Sequence, residues 1–334
     1  MTKPRVYVTR QLFPEAMEIL ESHAEVEVFE GVDNAIPRDQ LLSKVRGIEG
    51  LLPLLTEKID AEVMDIGEDL RVISNYAVGF NNIDLEAATE RGIYVTNTPG
   101  ILTDTTADAA FALLMAIARR IPEADRSIRA GKWVHAWGPK MFIGSDVHRK
   151  TLGIIGLGRI GSAMSRRAQG FNMKVVYSDV YRRRDLEEEL GISYASKDEV
   201  IAEADFLSLH VPLTPETHHM IGTEEFKSMK DTAFLINTSR GPVVDQEALF
   251  EALRDGLIAG AALDVFEEEP IDSGSLLLTL DNIVLTPHLA SGSIETRTRM
   301  ATTAATNVVS VLQGRVPPNL VNPEVKKVRP LKES

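Results

Sequence analysis

Along the first hundred residues, short β-branched runs alternate with segments whose apolar positions recur at helical spacing. Residues 5–9 (RVYVT) read as a strand, and residues 14–22 as a helix with Ala16, Met17, Ile19 and Leu20 on one face. Residues 26–29, 48–55 and 71–77 follow as strands, with a helical piece at 38–45 among them. A sixth run, 94–97, stops at Thr98-Pro99-Gly100, a strong breaker. Strands alternating with helices predict βαβ units and a mostly parallel sheet.

Residues 103–120 (TDTTADAAFALLMAIARR) are apolar around most of a helical circumference, which predicts a helix buried between other elements. Residues 129–150 are rich in Gly, Pro, Trp and His with little periodicity and read as a long loop or arm. A second series begins at Thr151: TLGIIG, KVVYSD, FLSLHVP, AFLINTS, AGAALDV and NIVLTPH. These are continuous apolar runs, the pattern of strands covered on both faces. A helix over 294–312 has no partner strand in this series and is expected to return to the first one, leaving the first domain discontinuous.

Composition narrows the class. A chain of 334 residues is long enough for about two domains. Its 44% hydrophobic and 25% charged residues are those of a globular protein. With no cysteine there is no disulfide scaffold, thiolate metal site or cysteine nucleophile, and no metal is expected. A net charge of −13 speaks against nucleic acid as a partner. The N-terminal stretch has no apolar leader core and no later run suits a membrane span, so a soluble cytoplasmic protein is expected.

The chemistry starts at Gly156-Leu157-Gly158-Arg159-Ile160-Gly161, a GxGxxG between a predicted strand and a predicted helix. In that context the first glycine makes the turn, the second admits a pyrophosphate and the third lets helix and strand pack. The next strand ends at Asp179, near the ~20-residue spacing at which an acid meets the adenosine ribose and repels a 2′-phosphate. NAD(H) is therefore expected over NADP(H). Arg182, Arg183 and Arg184 read either as a solvated helix start or as cations for that phosphate, so NADP(H) stays open.

Ligands of open parallel sheets sit at the carboxyl ends of the strands. Three polar residues lie there: Arg240 after AFLINTS, Glu269 beyond AGAALDV, and His288 at the end of NIVLTPH. Singly they read as a surface charge, a solvated acid and a structural histidine. Beside a dinucleotide turn they have the chemistry to handle a 2-oxo acid.

These motifs resemble the D-isomer-specific 2-hydroxyacid dehydrogenases, and within them the glyoxylate/hydroxypyruvate reductase branch. The resemblance runs from NYAVGFNNIDLEAATERGIYVTNTPG (75–100) through LGIIGLGRIG, INTSRGPVVD, ALDVFEEEP and LTPH. It implies an α/β protein of two Rossmann-like parallel-sheet domains. Residues 1–99 and 290–334 would form a discontinuous, flavodoxin-like substrate domain, with 100–289 as the inserted dinucleotide domain. It also implies a homodimer with the active site in the cleft between domains.

By the same resemblance, Arg240 holds the 2-oxo acid's carboxylate in two-point fashion. His288 gives a proton to the carbonyl oxygen as hydride arrives from nicotinamide. Glu269 orients that imidazole and favours its charged form; within Glu267-Glu268-Glu269 it is the acid preceding Pro270. Val78 and Gly79 are similar to a loop whose N–H groups bind the substrate carboxylate, and Leu54 to a residue of the substrate pocket. Asp264 resembles the group that holds the nicotinamide carboxamide, and Thr106 a phosphate contact. Val211, Pro212, Thr238 and Ser291 resemble residues lining the cofactor site. Trp137 is similar to a residue delivered into the neighbouring subunit's cleft, or else is a dimer anchor. LTPHLASGS departs from the Ile-Gly or Ile-Ala common in relatives and leaves the part played by Ser291 open.

The implied activity is reduction of glyoxylate or hydroxypyruvate to glycolate or D-glycerate. The alternatives are another enzyme of the fold, acting on 3-phosphoglycerate, D-lactate or formate, or a dinucleotide-sensing scaffold like the C-terminal-binding protein corepressors. The apolar segment LLPLLT (51–56) favours a small, uncharged substituent.

Overall fold

A computed structural model describes residues 3–31 and 34–332. The chain divides into two compact units, Met1–Leu102 with Gly292–Ser334, and Thr103–Ser291.

The first unit is built on five parallel strands: β1 (Arg5–Val8), β2 (Glu25–Val28), β3 (Gly50–Leu52), β4 (Val72–Ser74) and β5 (Tyr94–Thr96). Their order, β2-β1-β3-β4-β5, is the flavodoxin-like one. Helix Ile294–Leu312, capped by the Ser293 side chain, lays Met300, Ala301, Ala304, Ala305 and Val308 against Val6, Val8, Leu52 and Val72. Small residues at helical spacing let it approach closely enough for Ser74 Oγ to donate to the Ala304 carbonyl at 2.9 Å. The opposite face is covered by the helices Arg38–Lys44, Ala61–Ile66 and Leu85–Glu90, through Leu41, Val63, Met64 and Ala88. The first sheet thus needs a helix supplied from the far end of the chain.

The second unit holds seven parallel strands: β6 (Thr151–Ile155), β7 (Lys174–Ser178), β8 (Ser193–Tyr194), β9 (Phe206–Leu209), β10 (Phe234–Asn237), β11 (Gly260–Leu263) and β12 (Ile283–Leu285). The order β12-β11-β10-β9-β6-β7-β8 reverses direction between β6 and β9, the doubly wound pattern with its switch point there. Helix Thr103–Ala118 packs Ala110, Leu114 and Ile117 on one face with Ile154, Phe206 and Ile236. Val200, Phe226, Leu249 and Leu253 cover the other.

The helix expected to run to Arg120 ends at Ala118, because Arg120 takes a left-handed conformation (φ 52°). Its guanidinium pairs with Glu123, and a second helix, Ile121–Arg129, starts with Pro122 in its first turn, where a missing N–H costs nothing. Residues 130–150 then run without helix or strand. No helix among the described residues is long and apolar enough to cross a membrane.

Candidate active site

The glycine turn joins β6 to helix Arg159–Gln169 beside the switch point. Gly156 has φ +94°, and a Cβ there would lie 2.8 Å from the His210 carbonyl carbon. One on Gly161 would come within 2.2 Å of the Gly156 oxygen. A Cβ on Gly158 would meet nothing within 4 Å. Two glycines therefore serve packing, and the middle one leaves room at a helix N-terminus, where free N–H groups favour an anion. Arg159 and Ile160 open that helix, with Arg159 exposed.

Asp179 follows β7 and faces the turn. Its Oδ2 accepts from the Leu157 N–H at 2.6 Å and its Oδ1 from the Tyr181 N–H at 3.0 Å. The arginine run beside it is largely committed elsewhere. Arg182 makes a two-point pair with Glu187 (2.9 and 2.8 Å), and Arg183 one with Asp185 (3.0 and 2.7 Å). Arg182 and the Tyr177 hydroxyl together hold the Glu187 carboxyl down to about 2. Arg184 stays exposed at the helix start.

Strand register brings the three polar residues to one edge. Asn237 is level with Leu263, and Leu263 with Leu285, so the segments leaving β10, β11 and β12 emerge side by side. Glu269 Oε2 lies 2.7 Å from His288 Nδ1, and its Oε1 accepts from the Phe266 N–H at 3.0 Å. Burial alone would push the Glu269 carboxyl up. Its bond to His288, the Phe266 N–H and the Arg240 charge outweigh that and hold it below the usual range. Glu267 reaches a different imidazole, His219, at 2.8 Å.

Arg240 is partly buried. Burial pulls its guanidinium below the ordinary value, with the Glu269 charge opposing. Among the described residues its side chain makes one hydrogen bond, Nη1 to the Ser239 carbonyl at 2.7 Å, which leaves most of a planar donor fork unused. Gly241 permits this placement, since a Cβ there would fall 1.8 Å from the Phe266 carbonyl. A third residue fixes the backbone: Asn237 Oδ1 accepts from the Ser239 N–H and hydroxyl, while its Nδ2 donates to the Arg240 carbonyl at 3.0 Å.

His288 sits in left-handed backbone (φ 51°), a conformation that costs a non-glycine residue about 1 kcal/mol or more. Asp264, fully buried, holds it there. One oxygen accepts from the Thr286 hydroxyl (2.6 Å) and Leu289 N–H (2.8 Å), the other from Ala290 N–H (2.8 Å). The Asp264 carbonyl accepts from the His288 N–H at 2.9 Å. His210, at the end of β9, is a poor rival as an acid–base group. Burial pushes it down to about 4, and its Nε2 is engaged with Ser208 Oγ at 2.9 Å.

The site thus sets an imidazole backed by a carboxylate and an underused guanidinium at one edge of a dinucleotide-type sheet. The family model for the D-isomer specific 2-hydroxyacid dehydrogenase NAD binding domain matches residues 111–290. The glyoxylate reductase of Korarchaeum cryptofilum (strain OPF8) is 55% identical over 329 residues, covering 98% of each chain. The chain belongs to the D-isomer-specific 2-hydroxyacid dehydrogenases.

Solved relatives of this dehydrogenase agree. A crystal structure of a Thermus thermophilus protein superposes with a TM-score of 0.90 at 48% identity, over 95% of this chain and 99% of that one. The NADPH-dependent glyoxylate/hydroxypyruvate reductase of Sinorhizobium meliloti, in complex with NADP and malonate, gives 0.83 at 32% identity, over 100% and 99%. This chain is thus an oxidoreductase with an NAD-binding domain.

The residues present fit a dinucleotide. Besides the space at Gly158, the Thr238 hydroxyl is buried at the end of β10 with no partner among the described residues, and such a group suits a polar ligand. Val211 and Pro212 follow β9 at the switch point, and Ser291 lies just past the His288 loop. Thr106 is buried in the first turn of helix Thr103–Ala118. The Asp264 oxygens are turned to the His288 loop, a duty that sequence did not indicate.

In the dehydrogenase's first unit, Leu54 follows β3 and Val78 and Gly79 follow β4. Asn97 Nδ2 donates to the Val78 carbonyl (2.7 Å) and Asn75 Nδ2 to the Gly79 carbonyl (2.8 Å). With the carbonyls anchored, neither N–H has a protein partner among the described residues. The asparagines that fix this turn were missed from sequence; Asn75 stands at the head of NYAVGFNN, and Asn97 just past the strand that ends in YVT. Trp137 is 78% exposed in the irregular arm, near Trp133 at 56%.

Proposed function

We propose that this dehydrogenase reduces a small 2-oxo acid, glyoxylate or hydroxypyruvate, to the 2-hydroxy acid in the cytoplasm, preferring NADH. The observation that carries the reading is the pairing of His288 with Glu269 beside a partly buried Arg240 whose side chain makes a single hydrogen bond among the described residues. The free fork of Arg240 grips the substrate carboxylate and withdraws charge from the adjoining carbonyl. Glu269 fixes Nδ1, so Nε2 of His288 is the ring atom left to protonate the carbonyl oxygen. When bound, the reduced nicotinamide supplies the hydride to the carbonyl carbon. In the first unit, the Val78 and Gly79 N–H groups are the expected holders of the carboxylate, and Leu54 of the substituent.

The coenzyme preference rests on Asp179 and on the commitment of Arg182 and Arg183 to Glu187 and Asp185, which leaves a 2′-phosphate with a carboxylate and few free cations. A homodimer is favoured by the arm, whose exposed Trp133, Val134, Trp137 and Ile143 form the kind of apolar surface that partners cover. Sedimentation of Trp137→Ala separates two duties: an intact dimer with raised KM means delivery to a neighbour's site, and a monomer means an anchor.

The test of activity is coenzyme oxidation by the purified protein with glyoxylate, hydroxypyruvate, 3-phosphohydroxypyruvate and pyruvate, using NADH and NADPH. Fast turnover of the first two with NADH is expected. Tight NADH binding without turnover of any 2-oxo acid would replace the enzyme with a dinucleotide-sensing scaffold.

A further inference from the structure

The first unit contains a buried carboxylate that the reaction does not use. Glu57 is 3% exposed, in the loop between β3 and the helix Ala61–Ile66. Its Oε2 accepts from the Thr9 hydroxyl and from the Leu54 N–H, both at 2.7 Å. Its Oε1 accepts from the Thr56 hydroxyl at 2.6 Å, with Arg10 Nη2 at 3.8 Å. Arg10 is held in turn by the Thr9 carbonyl and lies over the Phe29 ring.

Taking a carboxylate out of water is costly, and a well-packed apolar side chain often serves stability as well or better. What an apolar side chain cannot do is hold a backbone N–H and two hydroxyls in fixed directions. Here those donors come from β1's end and from the loop itself, so the carboxylate sets where Leu54 stands relative to the sheet.

The constraint passes on. Asn82 Nδ2 donates to the carbonyls of Leu54 (3.1 Å) and Glu57 (3.0 Å), so the loop is gripped at both ends of its turn. The Asn82 amide also pairs with that of Asn75 at 3.0 Å, and Asn75 anchors the Gly79 carbonyl. One chain of hydrogen bonds therefore runs from Thr9 through Glu57 and Asn82 to the turn with the two unpartnered N–H groups. Leu55 and Phe80, one on each turn, are the large apolar side chains left partly open beside it.

We propose that Glu57 is a positioning residue for the 2-oxo acid: through Leu54 and Asn82 it sets the spacing between the side-chain wall and the Val78–Gly79 N–H groups, and so fixes substrate size. This rests on the reading that those groups meet the substrate. Moving them by a fraction of an ångström loosens substrate binding and selectivity without touching the nucleotide site.

Glu57→Gln and Thr9→Val are near-isosteric tests. Glu57→Gln replaces one acceptor oxygen by a donor that faces other donors. It should raise KM for glyoxylate about tenfold, with kcat and KM for NADH within about twofold. The preference for glyoxylate over the bulkier 2-oxobutyrate should shrink. Thr9→Val removes one of the three close donors and should shift the same two quantities in the same direction, by less. A lowered melting temperature with KM for glyoxylate and the substrate ratio unchanged in both variants would make Glu57 a stabilising residue only and overturn the proposal. If the parent protein turns over neither glyoxylate nor hydroxypyruvate, the functional reading itself has failed, and the proposal falls with it.

Discussion

Replacing Arg240 tests the reading at its most exposed point. The backbone around this residue does not depend on its side chain, because Asn237 holds the Ser239 N–H and the Arg240 carbonyl, and Gly241 packs on Phe266. Arg240→Ala therefore removes the guanidinium, its single bond to the Ser239 carbonyl and its attraction to Glu269, while the turn persists. Against substrate, the loss is two charge-assisted hydrogen bonds, worth about 1.5–3 kcal/mol each. At 1.36 kcal/mol per decade this predicts a fall in kcat/KM of about 10²–10⁴. Arg240→Lys keeps a charge but not the fork, and about 10–100-fold is expected. Steady-state NADH oxidation with glyoxylate measures both, calorimetric titration confirms that NADH still binds, and added guanidinium ion should partly rescue the alanine variant alone. The reasoning is refuted if Arg240→Ala stays within about threefold of the parent in kcat/KM, or if its only defect is a lower melting temperature.

Two further substitutions address the proton and the coenzyme. Glu269 is held below the usual carboxylate range, so it is ionised through the neutral region and sets a negative charge against the ring that must give up the proton. Glu269→Gln should move the alkaline limb of the reduction profile to lower pH and extend 2-hydroxy acid oxidation in the same direction; superimposable profiles would contradict this. A depressed carboxyl gives stability that is complete above its unfolded pKa and lost as pH falls through the folded one. Melting temperatures of parent and Gln variant should accordingly converge in acid. Asp179→Ala should raise the NADPH-to-NADH ratio of kcat/KM, and an unchanged ratio would assign the preference to the arginine run.

Much of the fold was legible because its strands are unusually plain. TLGII, FLSL and GAAL sit within a doubly covered sheet and are almost wholly apolar, so they could be read as buried strands before any geometry was known. The helix over 121–129 went unread, although Pro122 gave a start signal. The left-handed Arg120 that divides the two helices is held by Glu123 and has no signature in the residues before it. Of the site, residues that announce themselves by type at strand ends were visible. Duties that link distant residues, such as Asp264 on the Ala290 N–H or Glu57 on the Thr9 hydroxyl, were not, because pairings of that range exist only once the sheet is assembled.

The supporting residues share a design. Each chemically able side chain follows a strand end, where backbone groups have left the ladder and need partners. A buried polar neighbour supplies them: Asn237 for the turn of Arg240, Asp264 for the loop of His288, Glu57 for that of Leu54. At His288 the demand is sharpest, because left-handed backbone would relax unless opposed. Four hydrogen bonds to Asp264 close around the residue, from Thr286, His288, Leu289 and Ala290. The imidazole therefore meets Glu269 without searching, and no binding energy is needed to order the acid. Preorganisation of this kind lowers the barrier only if it precedes substrate, and these bonds are complete within the protein itself.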